Sequence, residues 1–103
     1  MKIFKVTVIC ITAIGLICAA ALAAGDAARG RVLFNDPTFA RGTAGVSCNT
    51  CHPDGKGLQN AGSRQDLPQV INACIINALK GKPLDPNSVD MADLIAYLMN
   101  AAK

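Results

Sequence analysis

A run of five residues brings two thiols and an imidazole into one short stretch of chain: Cys48, Asn49, Thr50, Cys51 and His52. Thiols at this spacing can each add across one of two vinyl groups on the same flat macrocycle, and the imidazole that follows can reach a metal at its centre. C-x-x-C-H is the sequence form of covalent haem attachment. We therefore expect one haem c, bound through Cys48 and Cys51, with His52 as the proximal iron ligand.

Other uses of these side chains stay open. A structural zinc site needs four soft ligands, and the chain offers Cys48, Cys51, His52 and Cys74. Against zinc, Cys51 and His52 are adjacent and no second C-x-x-C or H-x-x-x-H pair is present. A disulfide between Cys48 and Cys51 is the simplest alternative in an exported chain. A thioredoxin-like site would need a surrounding βαβ pattern, which the sequence does not show.

The first 24 residues have the composition of a secretory signal peptide. Two lysines precede an almost wholly apolar stretch at 6–20, and Ala-Leu-Ala at 21–23 is a cleavage site of small residues. We expect residues 1–24 to be removed and residues 25–103 to form one domain in the periplasm or otherwise outside the cytoplasm. The apolar run is short for a membrane span, so none is expected after cleavage; an uncleaved N-terminal anchor is the alternative.

Loss of the leader changes the composition of the chain. Two of its ten Lys and Arg residues leave, so eight remain against seven Asp, a net charge near +1. Such a balance provides neither a nucleic-acid surface nor a polybasic membrane patch. Three cysteines remain, of which Cys74 is the odd one. A domain of this size has a small core, so we expect the bound haem to complete it and the apoprotein to be poorly folded.

Helical periodicity predicts an all-α fold with three helices, and no segment alternates with period two. Capping residues and helix breakers place these helices at about 26–34, 66–80 and 87–102, with the second ended by Gly81. Along the second helix an apolar face recurs at spacings of three and four, and it consists of Leu67, Val70, Ile71, Cys74, Ile75, Ala78 and Leu79. Cys74 is therefore expected to point inward.

Two further segments, together with the C-x-x-C-H motif, resemble class I c-type cytochromes. The sequence Gly-Arg-Val-Leu-Phe at 30–34 is similar to their N-terminal helix, and Asp-Leu-Ile-Ala-Tyr-Leu at 93–98 is similar to the C-terminal helix that packs against it. The resemblance implies a cytochrome c-like fold with an N-terminal helix, a haem-attachment turn, a middle helix carrying Cys74, a C-terminal helix and long loops.

The distal iron ligand is where the chain departs from class I. The family places its distal methionine about a dozen residues before the Leu-x-x-Tyr-Leu pattern, and the corresponding residues 79–82 are Leu-Lys-Gly-Lys. The odd cysteine on an apolar helical face is a competent iron ligand. Residues 72–85, followed by Ser88 and Met91, resemble the distal region of His/Cys-ligated c-type cytochromes, which include sulfur-oxidation cytochromes, thiosulfate dehydrogenase and NaxLS-type haem proteins. We expect Cys74 as the distal ligand, with Met91 as the runner-up.

Two other interpretations of Cys74 remain: a buried free thiol, and an intermolecular disulfide. For the whole chain we expect electron transfer without enzymatic activity, with a redox protein as partner. The resemblance to NaxLS-type proteins implies an alternative, in which this chain binds or senses nitric oxide or carbon monoxide as one subunit of a heterodimer with a second small cytochrome. A haem subunit of a sulfur-oxidising complex is a third hypothesis.

Overall fold

The computed structural model describes residues 25–101, and the predicted leader at 1–24 lies outside them. The described chain is mostly helical and contains no strand, as an all-α fold requires. Its helices are α1 (Ala27–Phe34), α2 (Cys48–Cys51), α3 (Leu67–Asn77) and α4 (Val89–Ala101). Short 3₁₀ turns lie in the connecting loops at Phe39–Arg41, Pro53–Gly55 and Ala61–Ser63.

The predicted starts of the first and last helices are confirmed, and each rests on a local cap. Asp26 Oδ1 accepts hydrogen bonds from the backbone N–H of Ala28 at 3.0 Å and of Arg29 at 3.2 Å. Ser88 Oγ accepts from the backbone N–H of Met91 at 3.2 Å. Each side chain thus satisfies amides that have no partner within the helix itself.

The end of α3 was predicted wrongly. The helix ends at Asn77 rather than near Lys80. The N–H groups of Ala78 and Leu79 both donate to the carbonyl of Cys74, at 2.8 and 3.2 Å; the second bond spans five residues, so the last turn is wider than an α-helical one. Lys80, not Gly81, adopts the left-handed conformation, with φ of 57°.

Gly81 has another role in this turn. A Cβ atom at this position would lie 2.6 Å from the carbonyl oxygen of Ala40, so only glycine allows the two loops to approach this closely. The loops are joined by hydrogen bonds from Lys82 N–H to the Ala40 carbonyl at 2.8 Å, and from Thr43 N–H to the Leu79 carbonyl at 2.9 Å. The contact fixes the C-terminal end of α3.

Helices α1 and α4 cross in close contact at a glycine. A Cβ atom on Gly30 would lie 2.0 Å from the carbonyl oxygen of Asp93 and 2.9 Å from Cβ of Tyr97. One turn further along α1, the ring of Phe34 packs on that of Tyr97, with centroids 5.0 Å apart and planes tilted by 50°. The crossing places Leu94 and Leu98 of α4 in the core beside Phe34.

A buried carboxylate fastens the same crossing. Asp93 is 3% exposed. Its Oδ1 accepts from the backbone N–H of Asp26 at 2.7 Å, and its Oδ2 accepts from Arg29 Nη1 at 2.7 Å. Arg29 also pairs with Asp90 at 2.7 Å. The hydrogen bond from Arg29 is the main reason why the pKa of Asp93 lies below its usual value. The start of α1 is thereby tied to α4 by charge-assisted bonds.

The core joins the α1–α4 crossing to one face of α3. Its buried side chains are Phe34, Phe39, Leu67, Ile71, Ile75, Leu79, Met91, Leu94 and Leu98. The described part of the chain has no helix with both the length and the apolar composition that a membrane crossing requires.

Candidate cofactor site

An apolar cleft of about 470 Å³ opens between α2, α3 and the inner face of α4. Cofactor and small-molecule pockets usually measure about 300–1,000 Å³, so this cleft has the size of one. Its floor includes Phe34, Leu94 and Leu98, which belong to the core at the α1–α4 crossing. The packing of the terminal helices therefore forms one side of the site.

Both cysteines of the C-x-x-C-H motif line this cleft from α2. The single turn of helix begins at a reciprocal cap, in which the backbone N–H of Ser47 donates to Thr50 Oγ1 at 3.0 Å. At the other end, Asn49 Oδ1 accepts from the backbone N–H of Asp54 at 2.8 Å and joins the turn to the next loop. The two residues between the cysteines thus hold the turn that presents both thiols.

The Cys48 thiol is the more enclosed of the two. It is partly buried, whereas Cys51 is exposed. Burial, with a smaller contribution from the neighbouring Cys74 thiol, raises the pKa of Cys48 to about 11. Near neutral pH, Cys48 is therefore an uncharged thiol, which suits an apolar wall.

His52 also lines the cleft, and its ring is fixed by the backbone. Its Nδ1 lies 2.9 Å from the carbonyl oxygen of Lys56. A carbonyl oxygen can only accept, so Nδ1 carries the proton and Nε2 has its lone pair free to bind a metal. The acceptor comes from the loop that directly follows the motif.

The loop reaches His52 through backbone conformations of positive φ. Asp54 has φ of 52° and Gly55 has φ of 82°. Gly57, with φ of 89°, lies against the imidazole, where a Cβ atom would be 3.4 Å from Nδ1. A φ of 89° is strained for any residue with a Cβ atom, so glycine at position 57 permits the close approach of backbone to ring.

Cys74 reaches the same cleft from α3. All seven residues of the predicted apolar face line it, which confirms the periodicity on which that face was predicted. However, Cys74 is exposed, so its thiol faces the open cleft instead of packing in the core. The alternative of a buried free thiol does not fit this position.

The methionines do not join these groups. Met91 is 0% exposed, lies within the core and is not part of the cleft wall. Met99 is 52% exposed, and its side chain approaches Gly62. The structure thus brings Cys48, Cys51, His52 and Cys74 to one cleft, whereas Met91 serves the packing of α4.

One residue that positions the site was missed in the sequence. Asn72 donates from Nδ2 to the Leu84 carbonyl at 2.9 Å, and its Oδ1 accepts from the Leu84 N–H at 2.8 Å. These two hydrogen bonds connect the chain after α3 to the helix that carries Cys74. An asparagine within a helix gives no local signal of such a role, because its partner lies 12 residues away.

Within residues 25–101, no group of three or more His, Cys, Asp or Glu side chains is arranged to hold a metal ion. The four candidate zinc ligands are thus spread around the cleft and do not form one coordination set. The chain matches no protein family, no curated protein and no solved structure.

Proposed function

We propose that this chain is an exported monohaem c-type cytochrome that transfers electrons. The observation that carries the proposal is the apolar cleft into which the C-x-x-C-H turn presents both thiols and His52. Cys48 and Cys51 would form the thioether bonds, His52 would be the proximal ligand and Cys74 the distal one. The chain outside 25–101 adds the sequence pattern of a leader, and haem attachment of this type takes place outside the cytoplasm.

The donor set fits a flat, apolar group with a metal at its centre. The thiols lie on one turn of helix, three residues apart, as two neighbouring covalent anchors require. His52 Nε2 is free because the Lys56 carbonyl holds Nδ1. Cys48 and Cys51 would anchor the haem covalently, and His52 and Cys74 would bind its iron, so the four residues need not converge on one point. When bound, the haem would supply one-electron chemistry.

The chain's own residues do the rest of the work. The Lys56 carbonyl keeps the His52 ring oriented and increases its basicity as a ligand. Two covalent anchors on α2, together with His52 directly after α2 and Cys74 on α3, would hold the cofactor in the same position in both oxidation states. With a haem in the cleft, the apolar walls would exclude water from it and lower the local dielectric constant, which influences the reduction potential. A thiolate ligand at Cys74 would lower that potential further.

The helix crossing adds independent support for a cytochrome c-like fold. The resemblance implies that the segment 93–98 packs on the segment 30–34, and α1 and α4 meet there with Gly30 against Asp93 and Phe34 against Tyr97. The crossing in turn supports the floor of the cleft. The segments 30–34 and 93–98 thus form the helix crossing and also contribute side chains to the floor of the cleft.

A second candidate function is the reversible binding of nitric oxide or carbon monoxide, and the position of Cys74 outside the core favours it. Cys74 does not belong to the buried core, so its thiol could leave the ligand position without breaking core packing. Adding carbon monoxide to the reduced protein separates the two functions. A new absorption spectrum would support gas binding, whereas an unchanged spectrum would leave electron transfer.

Haem attachment is tested by expressing the full chain in a bacterium with a cytochrome c maturation system. We expect a Soret band that survives denaturation and acid extraction, and a mass increase of one haem. Cys48→Ala and Cys51→Ala should each leave a single thioether bond, and the double variant should lose the covalent haem. Cys74→Ala is the matched control, because it removes a thiol from the same cleft without affecting attachment. Protein without any Soret band would refute the proposal.

A further inference from the structure

The outer face of α3, formed by Gln69, Ala73, Ile76 and Asn77, is exposed and has no charged side chain. Residues 67–79 contain no Asp, Glu, Lys or Arg, although 17% of the whole chain is charged. Ile76 is 46% exposed. Helix faces that contact only water are normally rich in charged residues. Depletion of charge is instead the compositional signal of the centre of a protein interface.

This face is symmetric about Ala73. Gln69 and Asn77 lie four residues before and after it, about one helical turn to each side. Both carry amides, which donate and accept hydrogen bonds and can therefore pair with each other. If two copies of α3 pack antiparallel with the two-fold axis at Ala73, Gln69 of one copy meets Asn77 of the other. The small alanine side chain allows the helices to approach closely at their crossing.

The charges at the two ends of α3 follow the same symmetry. Asp66 comes directly before α3 and Lys80 three residues after its end; both are exposed, seven residues before and after Ala73. In the antiparallel pair, Asp66 of each copy comes next to Lys80 of the other, which gives two opposite-charge contacts. Both carboxylate oxygens of Asp66 already accept from Arg64, each at 2.9 Å, but each oxygen has a further lone pair for an ammonium group. A parallel pair would bring like charges together.

We propose that the outer face of α3 binds a second copy of this chain in an antiparallel, two-fold symmetric dimer. An isologous interface must be complementary to itself, and a face with small, apolar and amide side chains between opposite charges meets that condition. One helix per protomer is a small contact, so the dissociation constant should be on the order of micromolar. None of the four residues of this face lines the cleft, so substitutions here leave the candidate cofactor site unchanged and the dimer can be tested separately from the proposed function.

Sedimentation velocity on the purified protein tests this dimer between about 1 and 100 μM. A reductant is present throughout, so that a disulfide through Cys74 cannot produce a dimer. We expect the mass to rise from monomer to dimer across this range. Ala73→Glu should raise the dissociation constant by about 100-fold, because it places two carboxylates against each other at the axis. Ala28→Glu on exposed α1 is the matched control and should leave the dimer unchanged.

A charge exchange tests the antiparallel register. Lys80→Glu alone and Asp66→Lys alone should each weaken the dimer, because each places like charges opposite one another. The double variant should restore it. Circular dichroism confirms that each variant is folded. A wild-type monomer at 100 μM, a dimer that tolerates Ala73→Glu, or a one-to-one complex formed only with a different protein would each overturn the proposal.

Discussion

Replacement of Gly30 by alanine should destabilise the protein, although alanine is the better helix former. The added Cβ atom would lie 2.0 Å from the Asp93 carbonyl oxygen, where an ordinary contact needs about 3.4 Å. Helices α1 and α4 must therefore move apart by more than 1 Å. That movement strains the hydrogen bonds from Asp26 N–H and Arg29 to Asp93, both 2.7 Å long.

The magnitude follows from opposing terms. Alanine in place of glycine within a helix stabilises it by about 1 kcal/mol. Overpacking of a close contact costs about 1–3 kcal/mol, and loosening the bonds to the buried Asp93 carboxylate adds to this. The costs exceed the gain, so we expect a net loss of about 2 kcal/mol. In a domain of this size such a loss lowers Tm by about 8–16 °C.

Thermal and guanidinium unfolding, followed by circular dichroism, measure this difference. Ala28→Gly is the matched control, because it changes helix propensity at an exposed position of the same helix and should cost only about 1 kcal/mol. Gly30→Val should be worse than Gly30→Ala, since its side chain is larger. A Gly30→Ala protein as stable as the wild type, or more stable, would refute the close crossing of α1 and α4.

Three further predictions concern the site and its supports. Asp93→Asn should lower the free energy of unfolding at neutral pH and make it less dependent on acid pH, measured by unfolding at a series of pH values. Arg29 lowers the pKa of Asp93, so the stability that this carboxylate contributes is present above about pH 4 and is lost as the pH falls through the lower pKa of the folded state. Cys74→Met should raise the reduction potential and change the low-spin haem spectrum, whereas an unchanged spectrum would exclude Cys74 as a ligand. Gly57→Ala, at a φ of 89° and 3.4 Å from the His52 ring, should shift the potential in redox titration, while Gly45→Ala, with φ of 76° and no neighbour within 4 Å, should not.

The parts of the fold that were predictable are those whose cause is local in sequence. Asp26 and Ser88 cap their helices with bonds that span only two or three residues. The apolar face of α3 follows from its spacing alone, and all of it lines the cleft. The C-x-x-C-H turn is also local, because the residues that hold it, Ser47, Asp54 and Lys56, all lie within four residues of the motif.

What was not predictable depends on contacts between distant segments. Helix α3 ends early where the loop at Ala40 lies against Gly81, and the residue in the left-handed conformation there is Lys80. In the sequence, Asp93 resembles an ordinary surface aspartate; its buried ion pair exists only because α1 crosses α4 and brings Arg29 to it. Asn72 similarly gains its role only when the chain after α3 turns back.

The hydrogen bond between His52 Nδ1 and the Lys56 carbonyl has a genetic consequence. Every amino acid has the same main-chain oxygen, so no single codon change at position 56 deletes the acceptor. Mutational drift at that side chain leaves the imidazole's tautomer intact. Only changes that alter the path of the loop, such as those at its glycines, would change the orientation of the His52 ring.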